Sequence, residues 1–136
     1  MTSDEMAAIH AACFTTPKPW SAVEIASTLD SDFVFLLTEP NGFLIGRVVA
    51  GEAELITLAV DPSARKRGTG GRLVDGFLRE AGLRGAESVF LEVLASNLPA
   101  QSLYARKGFE PKGKRRGYYL MPEGARQDAL ILGRVI

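Results

Sequence analysis

Residues able to carry covalent or metal chemistry are scarce in this 136-residue chain, which has one cysteine, one histidine and one tryptophan. A single cysteine excludes an internal disulfide and fits a reducing compartment. Net charge is absent too, with 16 basic residues balancing 16 acidic ones, so no overall field draws the protein to nucleic acid or to a membrane. No apolar run approaches membrane-spanning length. The acidic start, Met1-Thr2-Ser3-Asp4-Glu5-Met6, lacks the basic head and apolar stretch of a signal peptide. These absences lead us to expect a cytoplasmic protein with no membrane partner and no specific nucleic-acid partner. What is present is ordinary for a globular protein: 46% apolar and 24% charged residues, enough for a single domain spanning residues 1–136 with one core.

The scarcity also narrows the chemistry. His10 lies in a helical context far from any candidate nucleophile, so a Ser-His-Asp or Cys-His arrangement is disfavoured, and His10 reads as a partly buried helix residue. Cys13 reads as a small buried hydrophobe, with nothing in the sequence to activate its thiol. His and Cys ligands are too few for a zinc site, and no metal is expected. Gly68-Thr69-Gly70-Gly71 matches neither GxxxxGK[ST] nor GxGxxG, which disfavours nucleotide hydrolysis and nicotinamide binding.

In chain order, Met6, Ile9, Ala12 and Cys13 give a helical apolar stripe with His10 beside it, broken at Thr16-Pro17-Lys18-Pro19. Ser21 and Glu24 form a capping-box pattern for a helix to about Leu29, with Trp20 placed to act as a staple. Phe33 to Thr38, Phe43 to Ala50 and Ala53 to Val60 read as an antiparallel meander, turning at Pro40-Asn41-Gly42 and Gly51-Glu52. Leu73, Val74, Phe77, Leu78 and Ala81 then line one helical face, ended by Gly82 or Gly85. Ser88 to Leu94 is the next strand, parallel to the one before the helix. Asn97 opens a further helix through Tyr104 to a Gly108 cap. Phe109 to Lys112, Tyr118 to Met121 and Ala129 to Ile136 are the closing strands. Lys112, Lys114, Arg115 and Arg116, without aromatic residues ahead of them, read as a solvated loop. The order argues for an α/β (α+β) fold, one mixed sheet with helices on both faces.

The distinctive stretch runs from Leu55 to Arg72: a strand, a turn at Asp61-Pro62, then a basic glycine loop opening a helix. Bare N–H groups at such a helix start, and the helix dipole, favour an anion, with Arg65, Lys66, Arg67 and Arg72 around it. Behind Arg65-x-x-Gly68-x-Gly70 come Leu91-Glu92-Val93, Ala95-Ser96-Asn97, Leu103-Tyr104 and Gly108-Phe109, in order. With these features the chain resembles the Gcn5-related N-acetyltransferase (GNAT) superfamily, and within it the RimI-type ribosomal-protein alanine acetyltransferases. The resemblance is strongest from Ala53 to Phe109. It continues through Arg115-Arg116-Gly117-Tyr118-Tyr119 and Asp128-Ala129-Leu130, and touches Pro19-Trp20-Ser21.

The resemblance implies a mixed, mostly antiparallel sheet with a splayed parallel strand pair, and acetyl-CoA as cosubstrate. Leu58, Ala59 and Val60 match the strand that pairs with the pantetheine arm. Arg65, Lys66, Arg67, Gly68, Thr69, Gly70 and Gly71 match the loop around the pyrophosphate, and Asn97 matches a further cofactor contact. Glu92 matches the proposed general base and Tyr104 the proposed general acid. Two departures stand out: Gly117 replaces the asparagine usual before the paired tyrosines, and the segment before the first helix is short.

The residues bear independently on these roles. Glu92 lies on the face of its strand opposite Val89, Leu91 and Val93, where an acid amid apolar residues needs a purpose or a partner. It can act as a base through water, or pair structurally with an arginine. Tyr104 falls about two helical turns past Asn97. Its phenol can protonate a leaving thiolate, or the residue can serve only as an amphipathic core side chain. Tyr118 and Tyr119 either line the acceptor channel or face opposite sides of a strand. The expected reaction is direct acetyl transfer to an amine, with a backbone N–H near Ala59 or Val60 steadying the oxyanion. The acceptor is expected to be a protein N-terminus, a ribosomal protein's in particular. A lysine, a polyamine, a small metabolite, or a non-catalytic acetyl-CoA-binding module are the alternatives. The protein is expected to be a monomer or weak homodimer.

Overall fold

In the computed structural model, residues 1–14 and 18–136 are described. Thr16 and Pro17 of the expected helix break lie outside them. Two helices come first, α1 (Ser3–Cys13) and α2 (Ala22–Leu29), each opened by a capping box: Thr2 with Glu5, and Ser21 with Glu24. The meander follows as β1 (Val34–Glu39), β2 (Gly42–Val49) and β3 (Glu52–Val60), antiparallel throughout. A 3-10 turn at Pro62–Ala64 leads through the glycine loop to α3 (Thr69–Leu83), whose chain exits through Gly85 in the left-handed region; Gly82 lies inside the helix. Then come β4 (Ser88–Leu94), α4 (Leu98–Arg106), β5 (Glu110–Leu120) and β6 (Arg126–Val135).

The six strands form one sheet in the order β1-β2-β3-β4-β6-β5, in which only β3 and β4 run parallel. Helices cover both faces. Phe35, Leu44, Leu55, Val74, Phe77, Leu91, Val93 and Tyr104 belong to the core on the α3 and α4 side. Met6, Ile25, Phe43, Ile45 and Ala59 form a second core under α1 and α2. None of the helices is long and apolar enough to cross a membrane, among the described residues.

Two parts of the expected fold need correction, the strands after α4 and the buried face of α1. Phe109–Lys112 and Tyr118–Met121 are not separate strands: the basic run between them joins them into the single strand β5. As the sheet's edge, β5 needs only one main-chain partner, and its charged side chains stand in water. His10 is not beside the apolar stripe but fully buried, at 2% exposure, while Ala12 faces solvent. Trp20 packs back onto His10 of α1, ring centroids 5.7 Å apart, and so ties the two first helices together.

Candidate active site

β3 and β4 pair only from Glu52↔Ser88 to Glu54↔Phe90. Beyond that point they separate, although β2 still holds the outer edge of β3 as far as Val60, and β6 holds that of β4 as far as Leu94. The parting therefore opens a cleft within the sheet, along which alternate backbone groups of the Leu58–Val60 segment are left without a strand partner on the β4 side. Backbone N–H and C=O groups in such a position require partners from elsewhere. A bulge sharpens the geometry. Ile45 pairs with Thr57 but Gly46 with Leu55, so Ile56 is an extra residue and the side chains change face there. Leu55 packs toward α3, whereas Thr57 reaches His10 of α1.

At the mouth of this cleft stands the start of α3. The other three helices are capped by the side chains of Thr2, Ser21 and Asn97, but α3 has no side-chain cap. Its N-cap is Gly68 in the left-handed conformation (φ 78°), which aligns the loop so that the first N–H groups, those of Thr69, Gly70 and Gly71, point outward. Arg65, Lys66 and Arg67 are exposed and have no acidic partner among the described residues. Arg72 differs from them. Its Nε contacts Glu39 at 2.7 Å and its terminal nitrogens reach the Arg67 carbonyl (3.0 Å) and Thr69 Oγ1 (3.3 Å), so it braces the loop instead of presenting a free charge. A Cβ on Gly70 would lie 3.2 Å from Leu103 Cδ2, which shows how closely α4 packs on this turn. Lys107, not foreseen from the sequence, brings its Nζ within 3.6 Å of where a Gly71 Cβ would stand, and pairs with Asp75 at 2.9 Å. A site of bare N–H groups, surplus cations and glycines closely packed by neighbouring side chains fits the pyrophosphate of a CoA thioester.

α4 begins at the end of β4. Asn97 caps it by accepting from Ala100 N–H at 3.2 Å, leaving its amide nitrogen for other work. Tyr104, on the same helix, is buried against Phe109 with ring centroids 5.7 Å apart. Burial pushes its phenol well above the ordinary tyrosine range, so it stays protonated.

Glu92 lies on the opposite face of β4 from Leu91 and Val93, which join the core containing Tyr104. The two candidate proton carriers are thus on opposite faces of the sheet, with the cleft as the opening beside them. Glu92 Oε1 is 3.0 Å from Arg115 Nε of β5, and its side chain remains a quarter exposed. The arginine partner weighed as an alternative is therefore present. Arg115 also sits over the Tyr118 ring, 5.1 Å from its centroid, and Tyr118 meets Tyr119 edge-on at 5.2 Å. Burial, then the Glu92 charge, then Tyr118, push the Tyr119 phenol upward, with Arg115 opposing. This corner exists because β5 bulges: Arg115 faces Ala129 while Tyr119 faces Gln127, leaving residues 116–118 opposite Asp128. Gly117 has φ 57°, its N–H donates to Asp128 Oδ1 at 2.9 Å, and its carbonyl accepts from Arg126. Asparagine is the side-chain-bearing residue that most readily shares this left-handed region, so the Gly117 departure keeps the backbone shape that asparagine would give.

The contacts of Arg115, Asp128 and Lys107 escaped the sequence reading because each is made across strands or helices distant along the chain. Cys13 is a hydrogen-bonding thiol, its Sγ donating to the Val60 carbonyl at 3.2 Å. No three His, Cys, Asp or Glu side chains gather to hold a metal ion, among the described residues.

Comparison with known proteins agrees with this geometry. The acetyltransferase (GNAT) family model matches residues 4–109. The [ribosomal protein bS18]-alanine N-acetyltransferase of Escherichia coli (strain K12) is 36% identical over 135 residues, covering 96% of this chain and 90% of that protein. The crystal structure of the ribosomal-protein-S18-alanine N-acetyltransferase from Escherichia coli superposes with a TM-score of 0.83 at 35% identity, over 100% of this chain and 90% of that one. Arabidopsis thaliana NAA60 in complex with acetyl-CoA shares the fold, with a TM-score of 0.78 at 20% identity over 98% and 94% of the two chains. The chain belongs to the acetyltransferase (GNAT) family and is an N-acetyltransferase.

Proposed function

We propose that this protein acetylates the N-terminal α-amine of a protein, of the ribosomal-protein-alanine type, with acetyl-CoA as cosubstrate and the whole chain acting as one acetyltransferase domain. The observation that carries this reading is the cleft between β3 and β4, which runs from the uncapped basic start of α3 toward Glu92. The likeness to an enzyme named for that acceptor, over nearly the whole of both chains, supports the choice of amine.

Acetyl-CoA supplies an activated acetyl thioester. The loop from Arg65 to Gly71 holds its pyrophosphate through N–H groups and cations, while the main chain of Leu58, Ala59 and Val60 pairs with the pantetheine amides and Asn97 adds a contact. A backbone N–H near Ala59 or Val60 faces the developing oxyanion. On the other face Glu92, held in place by Arg115, takes the amine's proton through water. Tyr104 supplies a proton to the departing sulfur. Because a phenol is the weaker acid (pKa ~10 against ~8.5 for a thiol), and burial weakens it further, this donation is concerted with C–S cleavage. An α-amine, with a pKa near ~8, is uncharged far more often at neutral pH than a lysine at ~10.4.

Thiol release from acetyl-CoA, measured with peptides beginning in alanine, serine or methionine and with free lysine and spermidine, tests the acceptor. The alanine peptide is expected to give the highest kcat/KM. A preference for lysine or spermidine would overturn the assignment.

A further inference from the structure

We infer that His10, a residue unused in the chemistry above, is the positioning residue that holds the catalytic half of β3 in shape. This rests on the cleft being the site of acetyl transfer. The imidazole is 2% exposed and packed among Phe14, Trp20 and Phe43, with ring centroids 4.5, 5.7 and 6.4 Å away. Both of its nitrogens are engaged. The main-chain N–H of Trp20 meets Nδ1 at 3.1 Å and can only donate, so Nδ1 accepts and the neutral ring carries its proton on Nε2. Nε2–H then donates to Thr57 Oγ1 at 3.0 Å.

Thr57 is the first residue beyond the Ile56 bulge, where β3 leaves β4 and its side chains change face. One turn further along α1, Cys13 reaches the Val60 carbonyl. α1 therefore grips β3 at Thr57 and at Val60, the two ends of the segment whose main chain faces the cleft. A hydrocarbon ring would fill the same pocket without burying two nitrogens. What the imidazole adds is direction: a fixed donor that orients Thr57 and, through it, the strand segment that runs on to Val60 along the cleft.

The test compares His10→Phe, His10→Gln, Thr57→Val and the His10→Phe/Thr57→Val double variant in the full chain. The readouts are kcat with an alanine-starting peptide, CoA affinity by calorimetry and melting temperature. His10→Phe is expected to lower kcat at least about tenfold, as small misplacements of reacting groups do, while CoA affinity holds because the loop is untouched. His10→Gln, whose amide can still donate to Thr57, should restore much of the rate. Thr57→Val should reproduce the loss, and the double variant should add nothing. Wild-type kcat in His10→Phe would overturn the inference, as would a loss that Thr57→Val does not reproduce. If His10→Phe fails to fold, the near-isosteric Thr57→Val decides alone, with wild-type kcat counting against the role. Wild-type protein that does not bind CoA would overturn the reading of the cleft and this inference with it.

Discussion

The two sides of the cleft are built by opposite means. On the α3 and α4 side, main chain does the work: uncapped N–H groups at Thr69 to Gly71, a left-handed Gly68, and a glycine at 70 packed tightly under Leu103. On the other side, side chains do it: Glu92, Arg115, Tyr118 and Tyr119, brought together from β4 and an edge strand. A contiguous loop suits a cosubstrate whose phosphates are always the same. A side-chain surface on a sheet edge can be changed residue by residue to suit a different amine. On the proposed function, the contrast makes one half of the site generic and gives the specificity to the other half.

Perturbations should separate the two halves. The largest effect is expected from Glu92→Gln, which should lower kcat by about 10²–10⁴-fold, the range of lost general-base catalysis, with calorimetric CoA affinity unchanged. A kcat close to wild type would reduce Glu92 to its ion pair with Arg115. Gly70→Val should do the reverse. Pushing Leu103 away and screening the N–H groups should raise the KM for acetyl-CoA about tenfold, a loss of ~1.4 kcal/mol, at nearly constant saturated kcat. An unchanged KM would remove the pyrophosphate from this loop.

Two smaller effects sharpen the comparison. Burial lowers the pKa of His10, with Glu24 partly opposing. Its unfolded form therefore binds a proton more readily than the folded one, and stability is full above about pH 6.5 and falls as pH drops below it, by at most ~1.4 kcal/mol per unit. Urea unfolding at pH 7 and pH 5.5 measures this, and His10→Phe should flatten the difference. On the acceptor side, Gly117→Asn should be close to neutral, whereas Gly117→Val should cost roughly 1–2 kcal/mol because a β-branched residue resists φ 57°. Equal melting temperatures for the two variants would mean the bulge does not constrain the position.

How far each half could be read in advance follows from the same contrast. The loop, the Ser21–Glu24 capping box, the Asn97 cap and the strand alternation that sets Glu92 apart depend on neighbours along the chain, and all were legible; the Thr2–Glu5 box of α1 is equally local but was not read. The Arg115 partner of Glu92 was legible only as a type of residue, since strand pairing selects which arginine arrives. The basic run of β5 looked like a loop because its charges suit one. Edge pairing to β6 made it a strand, at no cost to side chains that remain in water.

By itself, then, the amino-acid sequence determined the element order as far as α4, the Ser21 and Asn97 caps and the glycine loop that opens α3, because each is satisfied within a few residues by hydrogen bonds and periodicity. Only the tertiary structure decided where β3 parts from β4, that the Ile56 bulge turns Thr57 toward a histidine 47 residues away, and that Arg115 closes on Glu92. Those features depend on which strands become neighbours. That choice is made by burying two cores on either side of one sheet, and no local pattern contains it.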